Sequence, residues 1–167
     1  TIAVDDEHDL TLAGFLVVLD QPKSSAAASI ARLAELGITV KIVTGDNSLV
    51  AETVCRALGV DSGGTLTGAD LDTLDDTQLT ASVNEASIFA RVSPEQKARI
   101  LRAQRDAGSA VAFLGDGVND ALALHHADVG ISVDSATDVA KDAADIILLE
   151  RDLDVLADGV AEGRGIF

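Results

Sequence analysis

At 167 residues the chain is long enough for one domain, residues 1–167, with a sizeable core. Hydrophobic residues make up 47 %, too many for a disordered chain, and with four Phe and no Tyr or Trp the core is built from Ala, Val, Leu and Ile. Twelve Lys and Arg against 28 Asp and Glu give a formal charge of −16. That makes nucleic-acid backbones and anionic membrane surfaces poor partners, and the acidity is read as a solubility or salt adaptation. The one cysteine, Cys55, excludes an intrachain disulfide. No apolar run approaches the ~20 residues of a membrane span, and no secretory leader is visible.

In chain order, Leu10 to Leu19 is apolar and β-branched and predicts a buried strand. Asp20-Gln21-Pro22-Lys23 predicts a turn. Ser24 to Leu36 carries Ile30, Leu33 and Leu36 at helical spacing and stops at Gly37. Thr39 to Val43 predicts a strand, and Leu49 to Leu58 a helix ended by Gly59. Asp61 to Thr67 reads as turns, and Asp70 to Glu85 as an acidic, weakly periodic helix. Within it Asp75-Asp76 reads as an exposed helix start.

Ile88 to Ala90 predicts a short strand. Ser93-Pro94-Glu95-Gln96 is a helix start with a cap, an N1 proline and a capping box, and its helix runs to about Ala107. Strands follow over Ala110 to Leu114, Val129 to Val133 and Ile146 to Leu149. Helices are predicted from about Asn119, over Ala136 to Ala144, and from Leu153 onward. Strands alternating with helices imply an α/β fold: a three-layer, mostly parallel, Rossmann-like sheet with helices on both faces.

Ligands of such sheets bind beyond the carboxyl ends of the strands. The distinctive polar residues fall there. One strand ends at Thr44-Gly45-Asp46, another at Gly115-Asp116-Gly117-Val118-Asn119-Asp120, and Lys97 lies one turn into a helix that follows a third. A hydroxyl, a cation, two carboxylates and an amide form a set suited to phosphoryl transfer, where catalysis is positioning and charge stabilisation. Asp116 and Asp120 are hard oxygen ligands for Mg²⁺. Thr44 and the Gly45 amide can donate to a phosphoryl oxygen, and Lys97 can offset its charge. Each piece alone is bland: Asp-Gly and Thr-Gly-Asp are common turns, and a helical lysine is usually a surface lysine. His125 and His126, adjacent on a helix, point about 100° apart and read as structural or solvated. Cys55, among apolar neighbours, reads as a buried thiol.

Three tracts in order, Thr44-Gly45-Asp46-Asn47, then Phe89 to Lys97, then Gly115 to Ala121, resemble the phosphorylation domain of P-type ion-pumping ATPases, members of the haloacid-dehalogenase-like superfamily. Asp20-Gln21-Pro22-Lys23 resembles an element that precedes the family's second motif. Ala127 to Asp134, Ala143 to Glu150 and Lys41 to Cys55 look most like the magnesium-transporting subgroup.

The resemblance implies roles. Thr44 holds the phosphoryl group, Lys97 offsets its charge, Asp116 and Asp120 serve the Mg²⁺ site, and Asn119 is a hydrogen-bonding partner. Gly45, Asp46, Gly117 and Asp20 line the path of the nucleotide phosphates. ATP, a transported cation and the other domains of a pump become the expected partners, at the cytoplasmic face of a membrane.

The sequence departs from the family in two places. Leu122 stands where proline usually follows Asn-Asp-Ala, and Asp-Lys-Thr-Gly-Thr, which carries the phosphorylated aspartate, does not occur. The 167 residues therefore resemble the second half of the phosphorylation domain, lacking the first-motif strand, and are expected to be inactive alone and to bind Mg²⁺ weakly. A free-standing phosphatase of the same superfamily and a non-catalytic binding module are the other readings. Without the first-motif strand, segments Thr39–Val43 and Ala110–Leu114 lack a neighbour, and they are expected to close up on each other. The alternatives are Leu12–Leu19 filling the gap, or an artefactual strand-exchanged dimer.

Overall fold

The computed structural model describes residues 11–14, 23–60, 63–150 and 152–166. The predicted strand over Leu10–Leu19 and the turn at Asp20 lie outside these residues, apart from 11–14, which have no regular structure and are exposed. Fourteen regular elements and one 3-10 turn follow. The chain runs α1 (Ala26–Glu35), β1 (Ile42–Val43), α2 (Ser48–Leu58), β2 (Thr65–Thr67), α3 (Gly68–Thr73), α4 (Asp76–Glu85), β3 (Ile88–Ala90) and α5 (Pro94–Asp106). It continues through β4 (Ala112–Leu114), the 3-10 turn (Val118–Asp120), α6 (Ala121–His126), β5 (Val129–Val133), α7 (Asp138–Ala143), β6 (Ile146–Leu148) and α8 (Asp154–Ile166).

The strands form two parallel three-stranded sheets, ordered β1-β3-β2 and β4-β5-β6. β3 is the centre of the first. Ile88, Phe89 and Ala90 are all fully buried, because alternate side chains meet helices on opposite faces. Phe89 packs with Leu71, Leu79, Val83 and Ile100 from α3, α4 and α5. Ile88 and Ala90 pack with Ala51 and Cys55 of α2. In the second sheet Phe113 meets Leu101 of α5, Ala123 and Leu124 of α6, and Ala140 of α7. The other face of that sheet carries Leu114, Val129 and Ile146, which are 42 %, 37 % and 47 % exposed. Helices cover both faces of the first sheet; on the second, α6 and α7 pack on the Phe113 face, and Ile131 and Leu148 are buried on the other.

The expected closure of the two strands is not what the structure shows. Among the described residues β1 pairs only with β3, and β4 only with β5. β1 is also shorter than expected, two residues rather than five, and is joined to the second sheet by packing rather than by a ladder. Val43 touches both the cluster under β3 and the cluster around Phe113.

Two further expectations are corrected. Thr65–Thr67 is a strand, not part of a turn, because parallel pairing to Ile88–Ala90 extends it. Residues 70–85 make two helices, not one. Thr67 and Asp70 form a capping box that starts α3, and Asp75 with Gln78 forms another that starts α4. The intervening Leu74 is extended. Asp75-Asp76 is the helix start that its composition suggested.

Glycine ends α1 as expected. Gly37 has φ +72°, and the Ile38 amide reaches back to the Leu33 carbonyl at 3.0 Å, closing the helix.

Candidate functional site

β1 stops where the Thr44 amide donates to the Phe89 carbonyl at 2.8 Å, the last bond of that ladder. The chain then turns within three residues. The Asp46 amide donates to Thr44 Oγ1 at 3.1 Å, so the hydroxyl oxygen accepts and its proton remains to donate. Gly45 is exposed, and its N–H makes no hydrogen bond with the described residues. A free hydroxyl proton and a free amide therefore lie side by side at the strand's carboxyl end. The Asp46 side chain is exposed.

The same turn is bonded to the segment that enters α5. The Arg91 amide donates to the Asp46 carbonyl at 2.8 Å and the Val92 amide to the Thr44 carbonyl at 3.2 Å. Arg91 achieves this with φ +53°, left-handed for a residue with a side chain. Ser93 then caps α5: the Gln96 amide donates to its Oγ at 3.2 Å, and Gln96 Oε1 accepts the Ser93 amide at 2.9 Å. Glu95 in this first turn accepts from the Ser93 hydroxyl at 2.8 Å. Its own backbone amide, then Ser93, hold its carboxyl below the ordinary range.

Lys97, one turn into α5, is buried. Its Nζ meets Asp120 Oδ1 at 2.6 Å, with side-chain exposures of 11 % and 13 %. Asp120 Oδ2 accepts the Gly117 amide at 3.1 Å, and the Asp120 amide returns to the Gly117 carbonyl at 3.0 Å. Both Asp120 oxygens are thus engaged, and so is the Gly117 N–H. Gly115 is required by contact: a Cβ there would lie 2.6 Å from Asp120 Cβ.

Beyond β4 the Asp116 carboxylate is exposed and forms no hydrogen bond or ion pair with the described residues. With Leu114, Val133 and Leu148 it lines a cleft of about 320 Å³. The Asn119 side chain, on the 3-10 turn, is also exposed and unengaged.

The structure therefore brings Lys97, Asp120 and Gly117 into direct contact and ties Thr44, Gly45 and Asp46 to the entrance of the same helix. It places Asp116 and Asn119 on the loop that Asp120 closes. Asp20 lies outside the described residues. The donor set suits Mg²⁺ in that Asp116 is an open hard ligand, and this ion takes only one or two carboxylates beside water and phosphate. Among the described residues no three acidic, His or Cys side chains converge on one point.

The bland readings of the remaining candidates hold. His125 is exposed and His126 half-buried at the end of α6, with ring centroids 5.9 Å apart. Burial, with Glu52 adding to it, pushes the Cys55 thiol up. Sequence reasoning missed Ser132 and Thr137, which hold the Asp116 loop from behind. Thr137 precedes a helix and could have been found as an N-cap; Ser132 sits in an apolar strand and gave no signal.

The family model for haloacid dehalogenase-like hydrolases matches residues 1–128. The chain belongs to the haloacid dehalogenase-like hydrolase family. A second family model, also described as haloacid dehalogenase-like hydrolase, matches residues 99–161.

The chain is 50 % identical over its full 167 residues to the "Magnesium-transporting ATPase, P-type 1" of Salmonella typhimurium. It is 49 % identical over 162 residues, 97 % of its length, to the protein of that name in Escherichia coli. In both cases it spans 18 % of the relative's length. Among solved structures it is similar to the catalytic domain of the CPx-ATPase CopB-B, with TM-score 0.64, 26 % identity, and 83 % of this chain and 45 % of that chain covered. It is also similar to a zinc-transporting PIB-type ATPase in its E2.Pi state, with TM-score 0.68 and 28 % identity, covering 87 % of this chain and 20 % of that one. The chain is thus a haloacid dehalogenase-like domain similar along its length to a segment of magnesium-transporting P-type ATPases. No helix among the described residues is long and apolar enough to cross a membrane.

Proposed function

We propose that residues 1–167 are one domain of an ATP-driven cation pump, with Mg²⁺ as the cation moved, working at the cytoplasmic face of a membrane. In this reading the domain steadies a phosphoryl group while it passes from ATP to an aspartate carried outside these residues. The observation that carries it is the Lys97–Asp120 pair at 2.6 Å, held between the Thr44 turn and the Asp116 loop. A buried cation already fixed by one carboxylate, on a helix whose entrance is bonded to the Thr44 turn and its free donors, supports an anion cradle fixed before its ligand arrives.

Each residue has a part in that transfer. The aspartate oxygen attacks the γ-phosphorus, the bond to the β-phosphate oxygen breaks, and ADP leaves. Thr44 donates its free hydroxyl proton, and Gly45 its free amide, to equatorial phosphoryl oxygens. Lys97 offsets the charge gathering there, while Asp120 keeps its ammonium in place. Asp116 would hold Mg²⁺, with Asp120 as a second acid at the site, and the bound ion would offset the charge of the phosphate groups. Asn119 orients water or phosphate from the same loop, and Gly117 shapes that loop. Asp46 and Asp20 line the approach of the nucleotide. Water later attacks the acyl phosphate, and inorganic phosphate leaves, returning the carboxylate.

Labelled ATP tests the reading. The 167-residue chain incubated with it and Mg²⁺ takes no acid-stable label, since it has no Asp-Lys-Thr-Gly-Thr. The full-length protein from the same gene takes one hydroxylamine-sensitive label, and Lys97→Ala or Asp116→Asn reduces its rate at least tenfold. Stoichiometric labelling of the short chain, or full rates in both variants, would refute it.

A further inference from the structure

Ser132 is fully buried in β5, a strand whose neighbours Gly130 and Ile131 are buried too. A hydroxyl placed there must find a partner. It does: Ser132 Oγ donates to the Gly115 carbonyl at 2.8 Å. The ladder between β4 and β5 has just ended, its last backbone contact being the Gly115 amide on the Ile131 carbonyl at 3.1 Å. Among the described residues, the Ser132 hydroxyl is the only donor to that carbonyl. The side chain takes over where the backbone bonds stop.

The next carbonyl is held as well. Thr137 donates its amide to the Asp116 carbonyl at 3.0 Å and turns its hydroxyl to the same oxygen at 3.4 Å. Gly115 itself is wedged against Asp120, where no Cβ fits. One hydroxyl therefore fixes a peptide that touches the Lys97 partner on one side and begins the Asp116 loop on the other. Asp116 needs this, because no bond to a described residue holds its own side chain.

We propose that Ser132 is a positioning residue for Asp116. Its hydroxyl sets the direction in which the loop over residues 115–119 leaves β4, and so where the Asp116 carboxylate stands relative to the Lys97–Asp120 pair. The inference deepens the reading of Asp116 as a metal ligand and rests on it.

The test uses the 15N-labelled chain as wild type, Ser132→Ala and Ser132→Cys, with two readouts. The first is amide hydrogen exchange. In Ser132→Ala the Gly117 and Thr137 amides exchange about tenfold faster, as expected when a buried carbonyl loses its donor. The Ile88 amide, in the other sheet, is unchanged, and Ser132→Cys, with a weaker donor, falls between. Unchanged exchange at Gly117 and Thr137 overturns the proposal. So does equal acceleration across both sheets, which is the signature of lost packing alone.

The second readout is line broadening by Mn²⁺ at the Gly117 amide. Wild type broadens, Asp116→Asn does not, and Ser132→Ala needs about tenfold more Mn²⁺. Equal Mn²⁺ response in wild type and Ser132→Ala overturns the positioning role. Equal response in wild type and Asp116→Asn refutes instead the metal reading of Asp116, while the exchange result still decides whether Ser132 holds the loop.

Discussion

Lys97 and Asp120 are charges that the fold takes out of water together, and their energetics follow from that. An ion pair this buried contributes little net stability, because the attraction is offset by lost hydration. Breaking it is costly, since one charge is left without a partner. Asp120→Ala therefore lowers stability by about 3–5 kcal/mol, whereas Lys97→Met with Asp120→Leu, removing both charges, costs much less. Urea unfolding midpoints of the single and double variants check this; a double variant as unstable as Asp120→Ala contradicts it. Little of this was legible beforehand. The motif placed Lys97 and Asp120 at one site, but spacing alone could not show that each carboxylate oxygen of Asp120 already has a partner. Nor could it show which glycine amide is free: Gly45 keeps its N–H available, while Gly117 gives its own to Asp120. Ser132 was invisible because a serine among apolar strand residues looks the same whether or not its hydroxyl meets a carbonyl.

At the scale of elements, local chemistry wrote most boundaries into the sequence. Ser93-Pro94-Glu95-Gln96 predicts the start of α5, and Gly37 and Gly59 end α1 and α2 in the left-handed conformation that glycine adopts without strain. β2 and the break between α3 and α4 were not legible. β2 has three residues and exists because β3 offers it a parallel partner, a tertiary cause. The α3–α4 break is held from a distance: Arg99 donates to the Leu71 and Leu74 carbonyls and pairs with Asp76 at 2.9 Å. Lys41 acts similarly, giving its ammonium to the carbonyls of Val83, Asn84 and Ala86 at the end of α4. Gln96 joins two elements, since its Nε2 also donates to the Gly68 carbonyl at 2.9 Å and to Asp72 at 2.7 Å. Gln96→Ala therefore loses a cap and a bridge together, about 1–2 kcal/mol. Thermal unfolding reads this, and a variant as stable as wild type shows the bridge to be idle.

For the whole molecule, the class was legible and the arrangement was not. Alternating strands and helices gave the parallel α/β fold, but the two three-stranded sheets, bridged by Val43 rather than by a ladder, depend on how far β1 extends. α8 is fastened to α1 by Arg32, which meets Asp158 at 2.6 Å and Asp154 at 3.7 Å, and by Arg164 on the Leu36 carbonyl.

The charge of −16 repels itself across the surface, and salt screens such exposed charges far more than buried ones. Raising ionic strength from low to near-physiological therefore raises the melting temperature. A fall would show that exposed pairs such as Arg32–Asp158 outweigh the repulsion.

In the proposed function Thr44, Gly45 and Lys97 form a ready-made phosphoryl cradle. Titrating the 15N-labelled chain with acetyl phosphate and Mg²⁺ tests it most directly. The predicted result is shifts of the Thr44, Gly45 and Gly117 amides, lost in Lys97→Met; shifts confined to the cleft beside Leu148 and Glu150, or none at all, would contradict it.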